Sequence, residues 1–408
     1  MPIRHPTLTV PALQPQYVSR FRCIGPQCED NCCKEWHVGL DKQTFEAYQR
    51  PEAGKLATII RINPEPRSDL NYGRIELSGA DSACPALENE LCSVHRDLGD
   101  QALSHTCFTY PRVWTDVGGQ AEQSLELSCP EAARLALLAP DAFEFTEGSM
   151  TVRAPLVRVV NAREGMSLEA VNEIRYFCLN LMRVDGLPVW QRLAVLGLVC
   201  EGLVEPLARR DLEAARTLLA DTAALLENGA LLEPLAQLQP DHEAQAMLFS
   251  VLLESVPKER HANLRHRVAD AVASGLGADP LTGQVSAERL VECYRRGLAR
   301  LPEALQAAPH LLDHYLLNEL FLHLFPFDMA SPFDSYLRLV SRFGLLRLML
   351  AARCNTEGEL PDAATLVQTV QAHYRRFNHD QTLLGRIDAA LHKGGWARLD
   401  KLYGLLRS

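Results

Sequence analysis

The chain lacks any uninterrupted apolar run of the ~20 residues that cross a bilayer, which excludes a membrane-spanning helix. It also lacks a basic excess. Lys+Arg 41 against Asp+Glu 51 gives a formal net charge of −10, the wrong sign for neutralising nucleic-acid phosphates or anionic lipid. No nucleic acid and no membrane are therefore expected as partners, and a basic partner suits the surface better. The opening stretch MPIRHPTLTVPALQPQ has no apolar core of a secretion signal, so the expected location is the cytoplasm. With 24 Gly, 24 Pro and 47% hydrophobic residues among 408, neither a fibre nor a disordered chain fits, and a sizeable core does. No fixed repeat length holds, which argues against a solenoid. Missing too is the Gly-rich strand-to-helix turn that cradles nucleotides in doubly wound folds. The nearest string, Ser274-Gly275-Leu276-Gly277-Ala278-Asp279, follows a helical pattern and reads as a helix C-cap and turn.

Cysteine, by contrast, is abundant: of 12, eight fall within residues 23–129, namely Cys23, Cys28, Cys32, Cys33, Cys84, Cys92, Cys107 and Cys129. In a reducing compartment clustered thiols bind metal more often than they pair. The segment Cys23-x4-Cys28-x3-Cys32-Cys33 contains Gly25-Pro26, which prevents one continuous helix and lets the backbone curl around a centre. Thiolates so spaced converge at Zn–S or Fe–S bonding distance. Adjacent Cys32 and Cys33 point apart and rarely ligate the same atom, so one of them serves a second centre or is structural. Cys84, Cys92, Cys107 and Cys129 supply long-range ligands. Ser128-Cys129-Pro130-Glu131 matches a capping box with Pro in the first turn, where the helix dipole is expected to favour the Cys129 thiolate. Four thiolates complete one zinc site or one four-cysteine cluster; eight allow two centres, or one with spare thiols.

Residues 1–150 are otherwise loop-rich, with turn signals at Asn63-Pro64 and Asn71-Tyr72-Gly73. Arg112–Val117 and Gln123–Leu127, separated by Gly118-Gly119, predict a short β-hairpin. Residues 151–408 carry apolar residues at helical spacing. Helices are expected over Ser167–Val184, Pro188–Arg209, Asp211–Asn228, His242–Val256, Ser286–Leu301, His310–Phe325, Ser335–Arg353, Pro361–Phe377 and Gln381–His392, with breaks at Pro188, Pro240, Pro326 and Pro361. The expected fold is mainly α: a cysteine-cluster module with a short hairpin over 1–150, then an irregular all-α domain over 151–408.

The strings YVSRFRCIGPQCEDNCCKEWHVGLDKQTFEAY, CPALENELCSVHRDLGDQALSHTCFTYPRVW and SLELSCPEAARL resemble, in order, the flagellin lysine-N-methylase family. The likeness continues in Tyr315-Leu316-Leu317-Asn318-Glu319-Leu320-Phe321 and Phe325-Pro326-Phe327. The cysteine half also resembles small zinc- or iron-chelating proteins. The resemblance implies methyl transfer from S-adenosylmethionine to the ε-amine of flagellin surface lysines, with an iron–sulfur cluster, of the 4Fe-4S type, in the cysteine module. Zinc is the alternative metal. The Cys-x3-Cys-Cys arrangement departs from the Cys-x3-Cys-x2-Cys of radical enzymes using that cofactor, which disfavours radical chemistry. The alternative function is a non-enzymatic iron–sulfur or zinc binding or redox protein whose helical domain docks a partner.

Other residues carry blander expectations. Cys178, Cys200, Cys293 and Cys354 sit singly on helical patterns and read as core. His37, His95 and His105 read as polar loop residues, and Asp41 as the cap of a helix over Lys42–Gln49. Tyr110 and Arg112 lie close enough to Cys107 to flank the centre, with packing and an ion pair the competing role. The Phe321–Phe327 stripe reads as core.

Overall fold

The computed structural model describes all residues except 1–4, 37, 80–81, 161–165, 255–263, 356–357, 380 and 408. The described chain divides into two compact units, one within residues 1–132, 144–160 and 264–267, the other within 133–143, 161–258 and 268–408. The helix Pro130–Leu138 carries the chain from the first into the second.

The predicted hairpin forms, with Arg112–Val117 and Gln120–Leu125 paired antiparallel from Arg112↔Leu125 to Val117↔Gln120 around Gly118-Gly119. It is only the middle of a five-stranded sheet. Leu8–Pro15 lies beside Gln120–Leu125 in parallel, and Phe145–Val152 pairs with Leu8–Pro15 along its whole length, from Leu8↔Val152 to Pro15↔Phe145. Arg158–Val160 adds a parallel edge to Arg112–Val117. The alternation in Leu8–Pro15 is weak and prolines interrupt it, so its pairing with Phe145–Val152 and Gln120–Leu125, both distant in the chain, defines it as a strand. Ala12, Trp114, Met150 and Val152 form the apolar face of this sheet.

A second core in the same unit is made by Val38, Leu40, Phe45, Tyr48, Leu56, Ile60 and Ile75. Over it run the short strands Gly39–Leu40, Gly73–Ile75 and Ile60–Ile62 and the helix Lys42–Tyr48. Asp41 caps that helix as expected, its Oδ1 accepting the Thr44 amide at 2.9 Å.

The second unit is entirely helical among its described residues, and all nine expected helices are present. Ser167, Asp211, Ser286, Ser331 and Asp362 each cap a helix by accepting the amide three residues on, so the polar residue before each apolar run marks where it starts. The 23-residue helix Pro332–Cys354 is buried along most of its length. Around it pack Val189–Arg209, His242–Glu254, Ala287–Ala304 and Ala363–Phe377. One close approach requires glycine: a Cβ on Gly297 would stand 2.0 Å from the Ala351 carbonyl oxygen. Helices Leu232–Gln237 and Leu399–Leu406 were not anticipated, being too short for a clear period. Cys178, Cys200, Cys293 and Cys354 are buried as expected, as are Phe321, Leu324 and Phe325. Ser274–Asp279 is a helix end and turn: the helix Leu264–Gly275 stops there and Gly277 takes φ +84.

Candidate metal centre

All eight clustered cysteines fall in the first unit, each as a free thiol. Cys23 is exposed, Cys84 buried and the rest half-buried. Local folding explains their placement. Gly25 at φ +56 opens a tight 3-10 turn, Gly25–Gln27, and the Cys28 amide closes it on the Gly25 carbonyl at 3.1 Å. The Asn31 side chain accepts the Cys33 amide at 2.8 Å, and Trp36 Nε1 donates to the Cys32 carbonyl. The Cys33 carbonyl in turn accepts the Cys84 amide at 2.7 Å, joining segments fifty residues apart. Cys92 ends a two-residue strand opposite Leu87, and Cys107 rides on the helix His105–Thr109, whose cap Ser104 accepts the Cys107 amide at 3.2 Å.

The thiols act on one another electrostatically. Burial pushes Cys107 up to about 12, with Cys92, Cys32 and Cys84 adding to the rise. Burial likewise lifts Cys28 to about 11, with a further push from Cys32, and raises Cys84, which feels Cys92 and Cys32. Cys33 is raised by its hydrogen-bond contact with Cys32, then by burial. Without a cation these groups are neutral thiols; a bound metal must release their protons and supply the positive charge that makes thiolates affordable. The donor set fits such a group. Among the described residues no three cysteine sulfurs lie within 4.8 Å of one another. Thiol sulfurs are the donors that both zinc and iron–sulfur centres take.

One expectation is corrected. Cys129 does sit at a helix start, accepting from the Ala132 and Glu131 amides, which lower its pKa as the dipole argument requires. Burial outweighs them and holds it at about 12, so the isolated Cys129 is a thiol, not a favoured thiolate.

His5, Asp41 and His105 offer three ligand atoms within 4.8 Å of one another. Their hydrogen bonds argue that this group is already complete. Thr44 donates its hydroxyl to Asp41 Oδ2 at 2.7 Å, which leaves His5 Nε2 to donate to Thr44 Oγ1 at 2.9 Å. Arg153, fully buried and stacked 3.9 Å from the Phe108 ring, donates toward His105 Nδ1 at 3.2 Å and balances the Asp41 charge. Both imidazoles are held neutral by burial, His5 at about 4. The network ties the N-terminal strand segment to the Cys107 helix through the His105 amide, 3.4 Å from Asp41 Oδ2. Thus His105 is a structural link instead of a loop residue, whereas His95 is exposed at a helix end. His37 lies outside the described residues. Tyr110 bonds Ser128 at 3.1 Å and packs on Trp36, while Arg112 lies over the Phe21 ring near Cys23 and Cys129.

The second unit holds a buried polar group that sequence reasoning passed over. Glu319 and Arg342 pair at 2.9 Å with almost no exposure, Asn318 donates to the Tyr374 hydroxyl at 3.2 Å, and Asn378 reaches Glu319 at 3.5 Å. The Tyr315 hydroxyl is buried without a hydrogen-bond partner among the described residues, and the buried His373 imidazole lies against the Arg342 backbone. The signal was present: Tyr315, Asn318 and Glu319 recur at i, i+3 and i+4 on the leucine-rich helix Leu311–His323. Such spacing puts polar groups on one face turned into the core.

Comparison with known proteins bears on the same residues. The family described as FliB lysine N-methylase C-terminal domain matches residues 175–405, which contain this buried group. A flagellar biosynthetic protein FliU of Salmonella muenchen is 36% identical over 148 residues, covering 36% of this chain and 88% of that protein. Two proteins named lysine-N-methylase, from Salmonella typhimurium and Salmonella choleraesuis, are 38% and 37% identical over 137 residues; the match covers 33% of this chain and 34% of each of them. The chain is thus matched to about a third of the length of those two relatives. No solved structure matches significantly. With the family match covering more than half of its residues, the chain belongs to the FliB lysine N-methylase family.

Proposed function

We propose that this protein transfers a methyl group from S-adenosylmethionine to the ε-amine of surface lysines on flagellin, and that its cysteine unit holds an iron–sulfur cluster. The observation that carries the reading is the family match over residues 175–405, supported by the two relatives named lysine-N-methylase and by the flagellar name of the third. The reaction asks two things of the protein. The acceptor lysine must shed its proton, because an ammonium has no lone pair to attack the sulfonium methyl. Amine and methyl must also be held in line. A net charge of −10 favours encounter with a lysine-bearing surface. The cysteines that would hold the cluster are Cys23, Cys28, Cys32, Cys33, Cys84, Cys92, Cys107 and Cys129; when bound, the group supplies one-electron chemistry and a cross-link for a loop-rich unit.

The second reading, a metal-binding or redox protein without transferase activity, draws on the position of all eight cysteines outside the matched residues 175–405. One experiment separates the two. Protein purified without oxygen is analysed for iron, zinc and acid-labile sulfide, then given flagellin and S-adenosylmethionine, and the flagellin is weighed. Iron with sulfide and mass gains of whole methyl groups on lysine are expected. Metal without methylation of a competent flagellin favours the second reading.

A further inference from the structure

We infer that Tyr110, acting with Trp36, positions the cysteine-bearing segments of the metal centre, and that its hydroxyl bond to Ser128 is a determinant of metal affinity; the inference rests on the reading of this unit as a metal centre. Tyr110 ends the helix His105–Thr109 that carries Cys107, its amide donating to the Thr106 carbonyl at 3.2 Å. Its hydroxyl shares a hydrogen bond with the Ser128 hydroxyl at 3.1 Å, one residue before Cys129. Its ring packs on Trp36 with centroids 5.3 Å apart, and the Trp36 indole donates to the Cys32 carbonyl. One side chain and its stacking partner thus join the segments of Cys32-Cys33, Cys107 and Cys129, which are far apart in the chain.

The backbone around the pair is fixed in the same sense. The Pro111 carbonyl, next to Tyr110, accepts the Glu126 amide at 2.8 Å, and the Cys129 amide closes a turn on the Glu126 carbonyl at 3.2 Å. On the Trp36 side, Asn31 holds the Cys33 amide at 2.8 Å, and the Cys33 carbonyl accepts the Cys84 amide at 2.7 Å. Between these cysteines Glu35, at φ +60, donates its amide to the carbonyl of Ser82, at φ +44, at 2.9 Å. Left-handed backbone at two residues other than glycine is costly and persists only where the surrounding contacts hold it. Burial does not account for the aromatic pair: Tyr17, Tyr48 and Trp114 of this unit are at most 3% exposed, whereas Trp36 and Tyr110 are only half-buried. Ser128 is fully buried, so water does not compete for its bond to Tyr110. Residues placed behind the ligands in this way order them before a metal arrives, which spares binding that cost.

The test uses the full chain, made metal-free without oxygen and titrated with zinc against a chromophoric chelator. A second portion is loaded with ferrous iron and sulfide, and its visible absorbance is followed as a ferrous chelator is added. Tyr110→Phe keeps the ring on Trp36 and removes only the hydroxyl bond; Ser128→Ala removes the same bond from its other end. Each is expected to weaken zinc binding by about 10–100-fold and to speed the loss of iron, with the double variant no worse than either single one. Tyr17→Phe is the control, because it strips a hydroxyl of the same unit that accepts the Leu125 amide of a sheet strand at 3.1 Å. It should lower the melting temperature without moving the zinc competition. If Tyr110→Phe and Ser128→Ala behave like that control, with zinc competition and absorbance unchanged, the inference is overturned and the metal reading stands. Should Tyr110→Phe fail to fold by circular dichroism, Ser128→Ala decides alone. A wild type that takes up neither zinc nor iron overturns the metal reading together with the inference.

Discussion

A thiol in this protein is governed more by burial than by its place on a helix. Cys129 has the amide contacts that stabilise a thiolate, yet stands at about 12 beside Cys107 at about 12 and Cys28 at about 11. In metal-free protein these three are expected to resist iodoacetamide at pH 8 while a denatured control is labelled throughout; rapid labelling of all three, read by peptide mass mapping, would contradict the burial argument. Histidine follows the same rule with opposite sign. Burial holds His373 at about 3 and His314 at about 4, both neutral in the folded protein, while the unfolded chain takes up protons near 6.5. The unfolded state therefore binds more protons between those values, and the stabilisation is complete above about pH 6.5 and lost as pH falls toward the folded values. Unfolding free energies from urea titrations should drop by up to about 1.4 kcal/mol per pH unit for each imidazole as pH falls from about 6.5 to 4.5, with His373→Leu showing the shallower dependence. The Glu319–Arg342 pair makes a further prediction. Arg342→Met strands a buried carboxylate and should cost about 3–5 kcal/mol, whereas adding Glu319→Leu should return most of it, as thermal denaturation of the three proteins can establish.

Helix starts at Ser167, Asp211 and Ser286 coincide in sequence and structure because a cap is a local device, while the helix expected from Ser335 begins at Pro332 behind Ser331. Ser167, Asp211, Ser286, Ser331 and Asp362 each satisfy an orphan amide within their own segment, without help from distant residues. Strands behave otherwise. Leu8–Pro15 and Phe145–Val152 are strands only because they pair with each other and the hairpin, and neither shows the alternation that would have revealed it. Two substitutions test how far each element depends on its contacts. Asp41→Ala removes the cap of Lys42–Tyr48 and the acceptor of the His105 amide, and should destabilise the first unit by about 0.5–2 kcal/mol, seen as faster amide exchange in Cys107 and its helix. Gly297→Ala forces a methyl against the Ala351 carbonyl and should cost about 1–3 kcal/mol in a helix where alanine otherwise stabilises; an unchanged melting temperature would show that the two helices slide apart freely.

The two compact units have different sources of stability. The helical one buries long apolar faces, and the other spreads short strands and loops around two small apolar clusters with eight thiols between its segments. Cys28→Ser or Cys33→Ser should therefore lower bound metal and loosen the first unit, visible as protease sensitivity within residues 23–129, while helical circular dichroism stays near wild type. Unchanged metal content in both variants would remove these residues from the ligand set.

Local chemistry written in consecutive residues was enough for the mainly helical character, for the nine helices, for the hairpin at Gly118-Gly119 and for the family. Each of these depends on spacing within a dozen residues, where period, turn residues and motif order are legible. Packing alone assigned the rest. The strand pairing of Leu8–Pro15 with Phe145–Val152, the burial that keeps Cys129 protonated, the Arg153 guanidinium that completes the His5, Asp41 and His105 group, and the meeting of Glu319 with Arg342 all join residues far apart in the chain. Burial and electrostatic fields are sums over such neighbours, so a residue's own letter and its immediate context do not contain them.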